Sequence, residues 1–168
     1  MTHAIDTPSP VARERDTDGR LVGLVFDSAP PPDMAITNRW LIAIDDSDNA
    51  LRALDQAIRQ AGEMRACILH LVNAQPWLAK EAAEAELARR GWEATQRARE
   101  MLAAAGLPWR LHVAMGEAAE RIAETAERID CAGIIIGSHG LGMAKAVLLG
   151  SVTQQVLRLS RRPLLVVH

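Results

Sequence analysis

From Trp40 onward the chain alternates short apolar runs with longer amphipathic stretches, and this alternation constrains the fold more than any other feature. Trp40-Leu41-Ile42-Ala43-Ile44, Cys67-Ile68-Leu69-His70-Leu71-Val72, Gly133-Ile134-Ile135-Ile136 and Leu164-Leu165-Val166-Val167 are nearly continuous apolar runs of strand length. Such runs suit strands buried on both faces. Trp109 to Val113 alternates more and reads as a strand nearer an edge. Helical patterns lie between the runs. One follows Ser47 or Asp48, either of which can cap it, and ends near Gly62. Another covers about Lys80 to Ala105 and stops at Gly106 and Pro108. Two more span Glu117 to Arg128 and Ser151 to Leu159. Strands separated by helices imply crossover connections and a parallel sheet covered on both faces. The expected fold is α/β: a single doubly wound, Rossmann-like domain over residues 39–168, with a five-stranded parallel sheet.

Residues 1–38 differ in character. They carry Pro8, Pro10, Pro30, Pro31 and Pro32, and three arginines against six acidic residues. This composition reads as a flexible or loosely packed N-terminal extension. The patch Leu21-Val22-Gly23-Leu24-Val25-Phe26 is the exception. It can either add a strand to a sheet edge or sit as an incidental apolar patch in a tail.

Several function classes are disfavoured. The net charge of −2 gives no electrostatic case for nucleic acid or an anionic membrane. No apolar run approaches the ~20 residues of a membrane helix, and no signal pattern opens the chain, so a cytoplasmic protein is expected. Cys67 and Cys131 lack C-x-x-C spacing and read as reduced core residues. No zinc-protease, nucleophile-elbow or Cys/His signature appears. His70 and His112 fall in strands and read as satisfied core or edge residues.

The chemistry is concentrated after the fourth apolar run. Gly137-Ser138-His139-Gly140-Leu141-Gly142 follows it directly, and a helix begins at Gly150-Ser151. Glycines let backbone N–H groups approach an anion, and a helix start adds unpaired N–H groups with the positive end of the dipole. Ser151 can cap that helix or donate to a phosphate oxygen, and His139 can offer a backbone N–H. The loop is not a P-loop, since Met143-Ala144 follows Gly142 where Lys-Ser or Lys-Thr is needed. It is not a dinucleotide fingerprint either, because Lys145 replaces the third glycine and the loop follows the fourth strand. In an open parallel sheet, Asp45 at the end of the first strand faces the same crevice and can accept from a ribose hydroxyl. Leu71 and Val72 can flank an adenine.

Ile44-Asp45-Asp46-Ser47, His70-Leu71-Val72 and above all Gly137-x-x-Gly140-x9-Gly150-Ser151 resemble the universal stress protein family, in its ATP-binding branch. The resemblance covers about Arg39 to His168. It implies a ligand site made of Ala43, Ile44 and Asp45, then Leu71, then Gly137, His139, Gly140, Gly150, Ser151 and Val152. It also implies ATP as ligand, with Mg²⁺, or AMP or another adenine nucleotide, and a homodimer formed through Leu164 to Val167. Asp46 stands where the family often has glycine. The expected role is a nucleotide-dependent stress-response protein acting through protein partners. The alternatives are a slow ATPase or nucleotide-transfer enzyme, and a nucleotide-free dimerisation module.

Overall fold

The computed structural model describes residues 6–80, 83–139 and 149–168. A seven-stranded sheet runs through it. The strands are β1 (Ala12–Arg15), β2 (Leu21–Asp27), β3 (Arg39–Ala43), β4 (Ile68–Gln75), β5 (Trp109–Met115), β6 (Gly133–Gly137) and β7 (Leu164–Val167). Their spatial order is β1-β2-β5-β4-β3-β6-β7. The helices are α1 (Asp48–Glu63), α2 (Ala83–Ala94), α3 (Gln96–Ala104), α4 (Ala118–Arg128) and α5 (Ser151–Leu159). Among the described residues, no helix is long and apolar enough to cross a membrane.

The five expected strands are present and mutually parallel. Two cores flank them. On one face Ile42, Ile44, Leu69, Leu71, Leu111 and Val113 pack with Leu51 and Leu54 of α1, Leu87 of α2 and Leu102 of α3. On the other, Leu41, Ala43, Val72, Ile134 and Ile136 pack with Ile122 and Ala126 of α4 and Val156 of α5. Ser47 caps α1, its side chain accepting from the Ala50 N–H at 3.1 Å. Cys67 and Cys131 are free thiols.

Two expectations need correction. The sheet has seven strands rather than five: Leu21–Phe26 follows the sheet-edge alternative given for it, as β2, and β1 comes from the stretch expected to be a loosely packed extension. β2 pairs antiparallel with β5, placing Leu24 opposite Val113 and Phe26 opposite Leu111. Leu24 and Phe26 are fully buried. Asp27 accepts two bonds from Arg110, both 2.7 Å, and Arg13 reaches Glu84 on α2 at 2.9 Å. An unpaired β5 edge would expose a row of backbone donors and acceptors, and the hairpin satisfies them. The second correction concerns the helix expected over Lys80 to Ala105, which is two helices. At the break the Thr95 hydroxyl donates to the Gly91 carbonyl at 2.7 Å, competing with the backbone ladder. Arg99 stacks over the Trp92 ring and donates to the Trp92 carbonyl at 2.7 Å, which holds the kink.

The hairpin also closes over two buried histidines. His70 on β4 and His112 on β5 have ring nitrogens 3.0 Å apart. Contrary to expectation they are not fully satisfied: His70 Nε2 and His112 Nδ1 are buried without a hydrogen-bond partner. The Glu14 carboxylate of β1 lies 3.7 Å from His112 Nδ1 and pairs with Arg128 of α4. Burial, with His112, Arg110 and Arg39 nearby, pushes His70 down to about 3. Burial also lowers His112, against the pull of Glu14 and with the help of Arg128 and Arg110. Burial raises Glu14, but His112 and Arg128 outweigh it and hold the carboxyl below its usual value. All three shifts have one consequence. The folded state binds fewer protons than the unfolded chain, so stability is full above the unfolded histidine value of 6.5 and is lost as pH falls from there towards 3. Urea unfolding at pH 7, 6 and 5 is expected to show a decline of about 1.4 kcal/mol per pH unit below 6.5 from His70 alone. His70→Gln should flatten it. A stability independent of pH across this range would refute the assignment.

Candidate functional site

β3 is the first parallel strand, and the chain leaves it to β4 on one side and later returns to β6 on the other. This reversal opens a crevice at the carboxyl ends of β3 and β6. A small cavity sits there, lined by Ala43, Ile44 and Asp45 from the end of β3, Ile136, Gly137 and His139 from the end of β6, and Val152 and Thr153 from α5. Ala50 of α1, Val72 and Ala74 of β4 and Ala118 and Ile122 of α4 complete the wall.

Each edge of the crevice is fixed by local bonds. The Ile44 N–H donates to the Val72 carbonyl at 2.9 Å, and the buried Asn73 side chain donates to the Ile44 carbonyl at 2.8 Å. The Ser47 N–H donates to Asp45 Oδ1 at 3.1 Å, orienting that carboxylate along the turn. On the opposite edge, Thr153 Oγ1 donates to the Gly137 carbonyl at 2.9 Å. The Gly150 N–H donates to the Ser138 carbonyl at 2.7 Å, and Ser138 Oγ lies 3.0 Å from His139 Nδ1. Gly150 is the N-cap of α5 and offers no side-chain cap, so among the described residues no side chain caps the first N–H groups of that helix.

Of the residues expected in the site, Ala43, Ile44, Asp45, Gly137, His139 and Val152 line one cavity. Gly150 and Ser151 stand at the start of α5 beside it, with Ser151 exposed. Gly140 lies outside the described residues. Leu71 points into the opposite core, and the cavity wall on β4 comes from Val72 and Ala74 instead. The two-residue period of a strand makes this a question of phase: neighbours face opposite sides, so choosing Leu71 or Val72 decides which core is meant. Ala74 was not anticipated because β4 continues to Gln75, beyond the end of the apolar run. Ala118, Ile122 and Thr153 carry no signal in the sequence other than helical position.

Gly137 has a second role. A Cβ there would lie 2.7 Å from the Asn49 carbonyl carbon and 2.8 Å from its oxygen, so the first turn of α1 packs directly on this backbone. The glycine is required by packing, independent of any anion. Among the described residues, no cluster of three or more His, Cys, Asp or Glu could hold a metal.

The profile of the universal stress protein family matches residues 37–168. The chain belongs to the universal stress protein family. Universal stress protein YxiE of Bacillus subtilis (strain 168) is 31% identical over 78% of this chain and 99% of its own length. Among solved structures, the hypothetical protein MJ0577 matches with a TM-score of 0.68 and 25% identity, covering 78% of this chain and 95% of that one. A universal stress protein in complex with cAMP matches with a TM-score of 0.64 and 24% identity, over 78% and 97%. The family match begins after β2, so the β1–β2 hairpin lies outside it.

Because α1 rests on Gly137, Gly137→Ala should destabilise the fold by about 1–3 kcal/mol, the usual cost of overpacking against backbone. Chemical denaturation measures this. An unchanged midpoint would show that α1 can move away freely.

Proposed function

We propose that this protein binds an adenine nucleotide in the crevice between β3 and β6 and acts as a nucleotide-dependent stress-response protein. The observation that carries the reading is the convergence, on one cavity, of the Asp45 turn, the carboxyl end of β6 and the uncapped start of α5. The cavity wall is largely apolar, with Ala43, Ala50, Val72, Ala74, Ala118 and Ile122 among its lining residues. A flat base fits that chemistry. Its volume of about 90 Å³ is well below the roughly 300–1,000 Å³ of sites that bury a whole small molecule. The base would therefore enter, and the sugar and phosphates would lie along the rim. There the Asp45 carboxylate can accept from ribose hydroxyls. The N–H groups of α5 and the Ser151 hydroxyl can donate to phosphate oxygens. The complex of a fellow family member with cAMP supports the same ligand class. ATP with Mg²⁺ is the proposed ligand, the metal arriving on the phosphates.

We also propose a homodimer through β7. This strand is a sheet edge, all four residues are only half-buried, and three of the four large exposed hydrophobics among the described residues from Trp77 onward lie on the adjoining α5: Val152, Leu157 and Leu159. The Pro163 and Val167 carbonyls accept from Ile134 and Ser138 of the β6 side. Strand alternation therefore turns the backbone groups of Leu164 and Val166 outward, where a second copy can pair with them.

Titration calorimetry of the full chain with ATP and Mg²⁺ is expected to show binding, weakened by about 1–2 kcal/mol in Ser151→Ala, the worth of one hydrogen bond to a charged group. Absence of binding at high micromolar concentrations would overturn the reading. Light scattering is expected to give a dimer for the native chain. Val166→Pro should give a monomer, since it removes an outward N–H and leaves the β6 ladder intact. A native monomer at tens of micromolar would refute the dimer.

A further inference from the structure

The turn that carries Asp45 is held from outside by a residue of another helix. Asp46 sits at φ 63°, in the left-handed region where a non-glycine residue is strained. Aspartate is among the few side chains that tolerate this region, yet something must hold the turn there. Arg97, in the first turn of α3, does so with three contacts. Its Nη1 donates to the Asp46 carbonyl at 3.2 Å and lies 3.6 Å from Asp46 Oδ1, and its Nη2 donates to Asp48 Oδ1 at 3.0 Å. Arg97 is the one cation in ion-pair range of either carboxylate among the described residues.

We infer that Arg97 is a positioning residue for the crevice, fixing the left-handed turn at Asp46 and neutralising the acidic rim beside Asp45. The inference rests on the nucleotide reading above for its functional consequence, and on the contacts alone for its structural one. Two physical effects are combined. The first is geometric. Holding the Asp46 carbonyl fixes the peptide that leads to Ser47, whose N–H in turn orients the Asp45 carboxylate. The second is electrostatic. Asp45, Asp46 and Asp48 place three acidic side chains within four residues, and Asp45 lines the cavity proposed to take a polyanion. Without a cation, Asp46 and Asp48 would add unscreened negative charge to the turn that carries Asp45, which disfavours a polyanion bound nearby. An exposed ion pair by itself contributes little stability. Here it is joined to a backbone bond and to a strained turn, so its loss is felt at the turn. Because α3 exists as a separate helix only through the break at Thr95, the break is what aims Arg97 at this loop.

A double-mutant cycle tests this on the full chain. Glycine at position 46 needs no support for φ > 0 and carries no charge. Arg97→Gln is therefore expected to weaken ATP binding about fivefold, the lower end of typical coupling between sites, and to weaken adenosine, which has no phosphates, less. In the Asp46→Gly background the same substitution is expected to change affinity less than about twofold, the size expected when the coupled partner is gone. Arg97→Lys keeps the charge but not the two-armed grip, and should fall between. Equal losses with and without Asp46→Gly, or no loss at all, would overturn the inference. Hydrogen exchange of the Ser47 N–H reads the turn without any ligand. It should quicken several-fold in Arg97→Gln and return towards the native rate in the double variant. If the native chain binds no adenine nucleotide, the functional proposal falls. The exchange series then still decides whether Arg97 holds the turn: unchanged exchange would overturn it.

Discussion

Gly137 has no room for a side chain because the Asn49 backbone lies against it, and the organisation of the crevice depends on that contact. It presses the first turn of α1 onto the carboxyl end of β6. The Asp45 turn immediately precedes α1, so it is carried to the same place. On the other side of β6, Thr153 bonds to the Gly137 carbonyl and brings the start of α5 in. Three elements distant in sequence are thus fixed around one peptide unit. The cavity between them follows from this packing and from the small side chains at Ala43, Ala74 and Ala118. A site built this way is preorganised by the fold's own close packing.

Much of this was legible in the sequence because the signals are local. Nearly continuous apolar runs state that a strand is buried on both faces, and Ser47 ahead of an amphipathic stretch states where α1 begins. The position of the crevice follows from strand order, which the alternation of elements already restricts. What the sequence concealed is what depends on distant partners. Leu21 to Phe26 is a strand because the edge of β5, some ninety residues later, has unpaired backbone groups to offer. The apolar patch itself leaves both readings open, while the composition around it, rich in proline and acid, points to a tail. The break at Thr95 depends on one hydroxyl finding the carbonyl four residues back, which no periodicity records. The choice between Leu71 and Val72 is one of phase, and a run apolar at nearly every position carries little of it.

The buried pair of histidines shows how a fold can carry polar groups in an apolar layer. His70 and His112 stack at a centroid separation of 5.3 Å and share one contact, each leaving one nitrogen unpaired. Such groups cost stability unless partnered. Glu14 and Arg128 lie close by, and they join β1 to α4 over the histidines. The hairpin is therefore attached through side-chain electrostatics as well as through the β2–β5 ladder and the burial of Leu24 and Phe26.

The hairpin also bears on how many copies can assemble. A sheet with two open edges can add neighbours at both, and repeated addition has no natural end. Here one edge is taken by β2, and beyond it lies β1, four residues long with Arg13, Glu14 and Arg15 and a register shift at Glu14/Arg15. A short, charged and irregular strand is a poor template for further pairing. Among the described strands, β7 is the other edge of the sheet, the one proposed to pair with a second copy. Twofold pairing there consumes the same strand in both copies, and nothing remains to extend from. In the proposed dimer, the segment that precedes the family domain would thus act as a terminator, disfavouring the addition of further sheets end to end.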